Sequence, residues 1–168
     1  MEQPADRTYL DIDAIKAGLN VLSSAPTSPE YVYRRPIVGT LNWLFPLIEG
    51  YMVMLEAGGE DILPDFVTFK LGRQSGGSPH PYEVLIFACK RTGEAWSSTE
   101  DQLRSRLAKT ANDSGKVYGL IQIGLEVRFY KSESSCFSAV SEKLHLVGDA
   151  QRVMNAFSYI KANPLPFM

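Results

Sequence analysis

The sequence predicts an α/β domain with a mixed central β-sheet flanked by helices, and three observations predict it. Residues 82–90 (YEVLIFACK) form a nearly continuous apolar run of β-type residues, as expected of a central strand covered on both faces. Two more such runs, KVYGLIQIG and LEVRFYKSE, meet at a turn on Gly124. Segments of helical periodicity lie before, between and after the strands. From the long apolar stretch onward the predicted order is helix, strand, strand, helix, three strands, helix, which suits a sheet with helices on both faces.

Taken in order, residues 1–9 read as a loose arm. Asp11 or Asp13 caps a short helix that runs to roughly Leu22, with Ile15, Leu19 and Val21/Leu22 on one side. The segment SSAPTSPEYVYRRP is rich in Ser and Pro and reads as an extended connector. Residues 1–35 are therefore expected to wrap, as an arm and short helix, a single domain of residues 36–168. Pro36 opens PIVGTLNWLFPLIEGYMVMLEAGG, in which Trp43, Leu47, Tyr51, Met54 and Leu55 recur at helical spacing and Gly58-Gly59 is a stop. Pro46 implies a break or a fresh start near Phe45, and the last part, YMVMLEA, also reads as a strand.

Beyond it the pattern changes to period two. ILPDFVTFKLG reads as a strand with Pro64 near its start, and GRQSGGSPHPY as a hairpin connector. After the central strand, Ser98 or Thr99 caps a helix with Glu100 and Asp101 in its first turn and Arg104, Arg106 and Lys109 later, matching the helix dipole. The closing segment, SEKLHLVGDAQRVMNAFSYIKANP, reads as a short strand, a turn at Gly148-Asp149 and a helix stopped by Pro164.

With 168 residues the chain is the size of one compact domain. Two cysteines, Cys89 and Cys136, cannot build a disulfide framework, and the acidic N-terminus lacks the apolar core of a secretory signal. An intracellular protein, in cytoplasm or nucleus, is the expectation. The longest apolar candidate for a membrane span, residues 41–55, is interrupted by Asn42, Pro46, Glu49 and Gly50, so no membrane partner is expected. Net charge is −2, yet residues 1–60 hold four basic and eight acidic side chains, while residues 61–131 hold ten basic and eight acidic ones. The locally basic middle is equally consistent with ordinary surface variation and with a phosphate-facing surface.

Three pieces there stand in a telling order: Pro64-Asp65 on one strand, Ala88-Cys89-Lys90 at the end of the next, and Gln102 on the following helix. Metal-dependent phosphodiester hydrolysis needs clustered carboxylates to hold a divalent cation that activates water, and a lysine to orient the water or stabilise the transition state. Period-two spacing turns positions 88 and 90 to one face of their strand.

On these residues the chain resembles the PD-(D/E)xK superfamily, whose core runs helix–strand–strand–strand–helix–strand, over about residues 40–130. The resemblance implies a restriction-endonuclease-like core and a Mg²⁺- or Mn²⁺-dependent nuclease acting on DNA or RNA. Asp65 matches the first acid and a metal ligand, helped by the main-chain carbonyl of Cys89, and Lys90 matches the lysine that activates water. Gln102 to Arg106 resembles the Q-h-x-x-Y helix of the RecB-like branch, with Arg106 in place of tyrosine. A glutamate of the first core helix, Glu49 or Glu56, is implied as a further metal ligand. The acid of the D/E-x-K half should stand at 88, where this chain has alanine, so the implied nuclease is impaired. Phrases such as LPDFVTF and KVYGLIQIG also resemble uncharacterised proteins of filamentous fungi.

Ala88 fits decay into a binding module, an engineered inactivation, or a small core residue under a closely packed helix. Migration of the acid to Glu83 is disfavoured, since five residues of strand put it on the opposite face. Elsewhere Cys89 reads as inert core rather than a nucleophile, His80 and His145 lack a second ligand at metal spacing, and Trp96 reads as packing rather than a base-stacking platform. The glycines near Gly76 open no phosphate-binding loop. A non-catalytic nucleic-acid- or protein-binding module and a small-molecule enzyme on the same scaffold are the alternative functions.

Overall fold

The computed structural model describes residues 7–56, 66–73 and 77–164. The described chain enters through a capping box, in which the Asp11 carboxylate accepts from the Thr8 N–H at 2.7 Å and the Thr8 hydroxyl accepts from the Leu10 N–H at 3.2 Å. The resulting 3-10 turn sinks Tyr9 into the core, where its hydroxyl donates to the Leu146 carbonyl at 2.5 Å. Residue 9, expected in a loose arm, is thus anchored 137 residues away along the chain. Helix α1 (Asp13–Ser24) buries Ile15, Leu19 and Leu22 on one stripe. Only residues 25–29 separate it from α2 (Glu30–Leu44), so most of the expected extended connector is helical and position 35 lies inside α2. Pro36 does not open that helix but sits within it, packed against Gly18 of α1, where an added Cβ would meet the proline ring at 3.4 Å. The interior proline removes one main-chain hydrogen bond from α2 and places its ring at the close contact between the two helices.

Pro46 ends the helical run. A 3-10 turn, Leu47–Glu49, and Gly50 at φ +82° turn the chain into β1 (Tyr51–Leu55), so the strand reading of YMVML holds and the helical spacing does not continue. Next come β2 (Phe66–Arg73) and β3 (Pro79–Lys90), then α3 (Trp96–Leu107), which starts ahead of Ser98 and Thr99. The rest is β4 (Val117–Ile123), β5 (Glu126–Glu133), β6 (Cys136–Ala139), β7 (Leu144–His145) and α4 (Ala150–Ala162). Among the described residues this makes seven strands and four α-helices. The sheet order is β1-β2-β3-β4-β5-β6, with β7 also on β5. Only β3 and β4 pair in parallel, and α3 makes the crossover between them. This is the mixed sheet flanked by helices that the sequence predicts.

The sheet separates two apolar layers. The larger lies against α1, α2 and α4 and takes Val84, Leu85, Phe87 and Cys89 from β3. The smaller lies under α3, where Ile86 and Ile121 meet Leu103 and Leu107. Gly119 of β4 is the contact point, since a Cβ there would stand 2.8 Å from Leu103 Cδ2. One irregularity matters for the site. Thr68 pairs with Leu85 but Phe69 pairs with Glu83, so Val84 is an extra residue in β3, a bulge that reverses the alternation before it.

Candidate functional site

Ile86, Ala88 and Lys90 alternate onto the α3 face of β3. Ala88 is nearly buried opposite Ile121, and Lys90, the last residue of the strand, is half-buried. Its carbonyl accepts from the Gly124 N–H at 3.0 Å, which ties the strand end to the β4–β5 turn. Phe66 opens β2 directly opposite Phe87, and the two rings stack at 6.1 Å. The start of β2 and the end of β3 therefore meet. Asp65, the first acid of the motif, lies outside the described residues, as do Pro64 and Gly76. Cys89 is fully buried, with its thiol in the larger apolar layer away from Lys90. Gln102 is half-buried on α3, one helical turn before Arg106.

The first-helix glutamate needs correcting. Neither Glu49 nor Glu56 belongs to α2, which ends at Leu44. Glu49 lies in the 3-10 turn and pairs with Lys161 of α4 at 2.6 Å, on the side of the sheet opposite α3. It also sits level with the far end of β2, because the Gly50 carbonyl accepts from the Leu71 N–H, whereas Ala88 lies next to the residue paired with Phe66. Five residues of strand separate those levels, about 17 Å. Glu49 is therefore no partner for Lys90.

Glu83 is also placed differently from expectation. The bulge at Val84 turns it to the face of Ile86, Ala88 and Lys90, not away from it. Only 3% exposed, it accepts from the Arg106 guanidinium, from the Thr110 hydroxyl at 2.7 Å and from the Ala111 N–H at 2.8 Å. Asn112 adds a bond from its amide to the Glu83 carbonyl at 3.3 Å. The same guanidinium holds Glu56, after β1, through two bonds of 2.5 and 3.2 Å. Arg106 thus ties the end of β1 and the first half of β3 to α3. Burial pulls its pKa down, but hydrogen bonds and charge from Glu56 and Glu83 outweigh this and hold it above its ordinary value. An acid inside an apolar strand demands a cation, and that is the signal by which YEVLIFACK and the following helix could have been linked from sequence.

These contacts decide what the face can do. Glu83 accepts four bonds and lies seven residues along β3 from Lys90, while both oxygens of Glu56 are engaged by Arg106. Among the described residues no group of three His, Cys, Asp or Glu side chains is placed to hold a metal ion. At the other rim of α3, Glu100 accepts from Tyr130 at 2.6 Å and from Arg128 at 3.2 Å. Lys143 stands 4.6 Å over the Trp96 ring, covering the indole rather than leaving it open. No helix among the described residues is long and apolar enough to cross a membrane. Comparison of the chain with protein-family models, with curated proteins and with solved structures finds no match.

Proposed function

We propose that this chain is a PD-(D/E)xK-type nuclease by descent, a metal-dependent phosphodiester hydrolase impaired because alanine stands at 88. The observation that carries the reading is the run α2–β1–β2–β3–α3–β4, an antiparallel meander followed by a parallel crossover, with Ala88 and Lys90 on one face beside the start of β2. Element order and the shared face of Ala88 and Lys90 support the reading; Glu49 does not, and Asp65 lies outside the described residues. The described residues do not supply a cation site, so no hydrolytic step is assigned to the chain as it stands.

The test is Ala88→Glu, melted with and without Mn²⁺. A glutamate among apolar neighbours is costly, so the variant should melt below the parent without metal. A cation that binds only the folded state should then raise its melting temperature, and raise it more than the parent's. Equal responses in the two proteins would make position 88 ordinary core and remove the mechanism. The parent should cleave DNA and RNA negligibly in Mg²⁺ or Mn²⁺, since a missing ligand typically costs about 10–100-fold or more. Robust cleavage abolished by Asp65→Ala would overturn the impairment.

One observation favours a second reading. Arg106 engages both Glu56 and Glu83, which takes these carboxylates out of metal service and leaves a module that binds nucleic acid or protein without hydrolysis. Salt-sensitive binding of nucleic acid, weakened by Lys90→Ala and indifferent to metal, would mark that module.

A further inference from the structure

β1 is the outermost strand of the sheet, and among the described residues no strand pairs with its outer edge. Edges of stable monomers are commonly guarded by lysine, proline or a bulge, and YMVML has none of these. Around it Leu47, Ile48, Met54, Leu55 and Leu71 are each at least half exposed, Ile48 at 95%, and Met52 joins them at 37%. Together these side chains, on both faces of the edge, present on the order of 600 Å² of apolar surface, at the upper end of what a monomer leaves in one patch and approaching the roughly 800 Å² per partner of a standard interface.

We propose that this edge pairs with β1 of a second copy, antiparallel about a two-fold axis at Val53, joining two sheets into one. The direction of the main-chain groups supports that register. Tyr51 pairs with Lys70, so Gly50 stands opposite Leu71, and the Leu71 N–H donates to the Gly50 carbonyl at 2.8 Å. Hydrogen-bonded pairs alternate along an antiparallel ladder, so Met52 and Met54 turn their main-chain groups toward β2 while Tyr51, Val53 and Leu55 turn theirs outward. A two-fold at Val53 sets that residue against itself and Tyr51 against Leu55 of the second copy. Every outward donor and acceptor of the strand then finds a partner.

Side chains agree with the same axis. Met52 falls opposite Met54 of the second copy at a non-hydrogen-bonded position, where strands bring side chains closest and flexible thioethers fill gaps well. The charges flanking the strand are engaged within their own chain. Glu49 pairs with Lys161, Glu56 with Arg106, and Lys70 lies 4.0 Å over the Tyr51 ring. Among the described residues no unpaired like charges meet across the axis, so the described surface is complementary to itself, as an isologous interface requires.

Sedimentation of the full chain over a concentration series into the hundreds of micromolar reads the assembly directly. The expected result is a dimer that Met52→Lys with Met54→Lys weakens by on the order of 100-fold, with circular dichroism unchanged. A parent that stays monomeric overturns the proposal, and so does a dimer indifferent to the two lysines or stable association with a different protein in place of the second copy. If the lysine variant fails to fold, Met52→Cys with Met54→Cys in a Cys136→Ser background decides. The proposed axis brings positions 52 and 54 of different copies within disulfide reach, and rapid covalent dimerisation supports it. Slow or absent crosslinking overturns it.

Discussion

On the side of α1, α2 and α4, strand β3 contributes Val84, Leu85, Phe87 and Cys89 to the larger buried layer, whereas on the side of α3 it contributes Glu83, Ile86, Ala88 and Lys90 to the smaller one and its ionic rim. The first face is held by area removed from water and by aromatic edges, such as Phe129 against Phe157 at 5.0 Å. The second is held by a thin apolar middle with charge at both ends, Glu83–Arg106–Glu56 at one and Glu100–Tyr130–Arg128 at the other. One strand can serve both because a bulge lets an acid face the helix that carries its cation. Burial on the large face tolerates gradual loss. On the α3 face each ionic group depends on a specific partner, which makes it the more specific and the more easily broken side.

The sharpest way to break that contrast is to remove one ion. Arg106→Met leaves Glu83 buried without its cation and should cost about 3–5 kcal/mol, similar to deleting a whole ring by Phe87→Ala on the other face. The two losses should differ in how they are rescued. Adding Glu83→Gln to Arg106→Met should recover part of the loss, because the stranded charge is gone, and urea melts of the single and double variants measure that coupling. No second-site change of charge should rescue Phe87→Ala. An Arg106→Met cost below about 1 kcal/mol would show that the guanidinium bridge is a surface pairing of the ordinary weak kind.

This contrast also sets what could be read from the sequence. Strands β3, β4 and β5 and helices α3 and α4 are legible because their apolar periods match the layers that cover them. β1 is obscured because Trp43, Leu47, Tyr51, Met54 and Leu55 mimic helical spacing across a turn that Gly50 makes abrupt. The start of α2 is hidden by Pro36, which reads as an opening residue but sits inside the helix, packed on Gly18. β6 has a partly exposed four-residue sequence, CFSA, with no pattern to find. At the site, the shared face of Ala88 and Lys90 follows from period two. That of Glu83 does not, since one inserted residue inverts the count and nothing in YEVLIFACK announces it. Glu49 fails for a different reason: its partner, Lys161, comes from the far end of the chain.

A smaller change probes how closely α3 sits on the sheet. Gly119→Ala adds one carbon where Leu103 Cδ2 and Leu107 Cδ1 would lie 2.8 and 3.1 Å away. Both neighbours are themselves buried, so the helix must shift or the leucines must leave their rotamers, at about 1–3 kcal/mol. A helix that lifts would strain the Arg106 bridge at the same time, so Gly119→Ala and Arg106→Met should be non-additive. Strict additivity in thermal melts would mean that the apolar middle and the ionic rim of this layer respond independently.

The mildest comparison comes from alkali, which reaches a buried phenol on each face. Burial raises the pKa of Tyr9 and of Tyr130 above the ordinary 10.0, aided at Tyr9 by Asp149 and at Tyr130 by its hydrogen bond to Glu100, with Arg128 opposing. A group that binds its proton more tightly when folded contributes stability that is complete below its unfolded pKa and is lost as pH climbs through the folded value. Stability should therefore be level up to about pH 9 and decline above pH 10 from both faces. The causes differ, and so should the variants. Tyr9 donates to a carbonyl deep in the larger layer, while Tyr130 donates to a carboxylate that a phenolate would repel. Tyr130→Phe should cost about 1 kcal/mol at neutral pH through the lost bond, then flatten the alkaline decline. Melting temperatures of parent and Tyr130→Phe between about pH 8 and pH 11 read this directly. Parallel curves for the two proteins would place the alkaline weakness on the Tyr9 face and leave the Glu100 rim without a part in it.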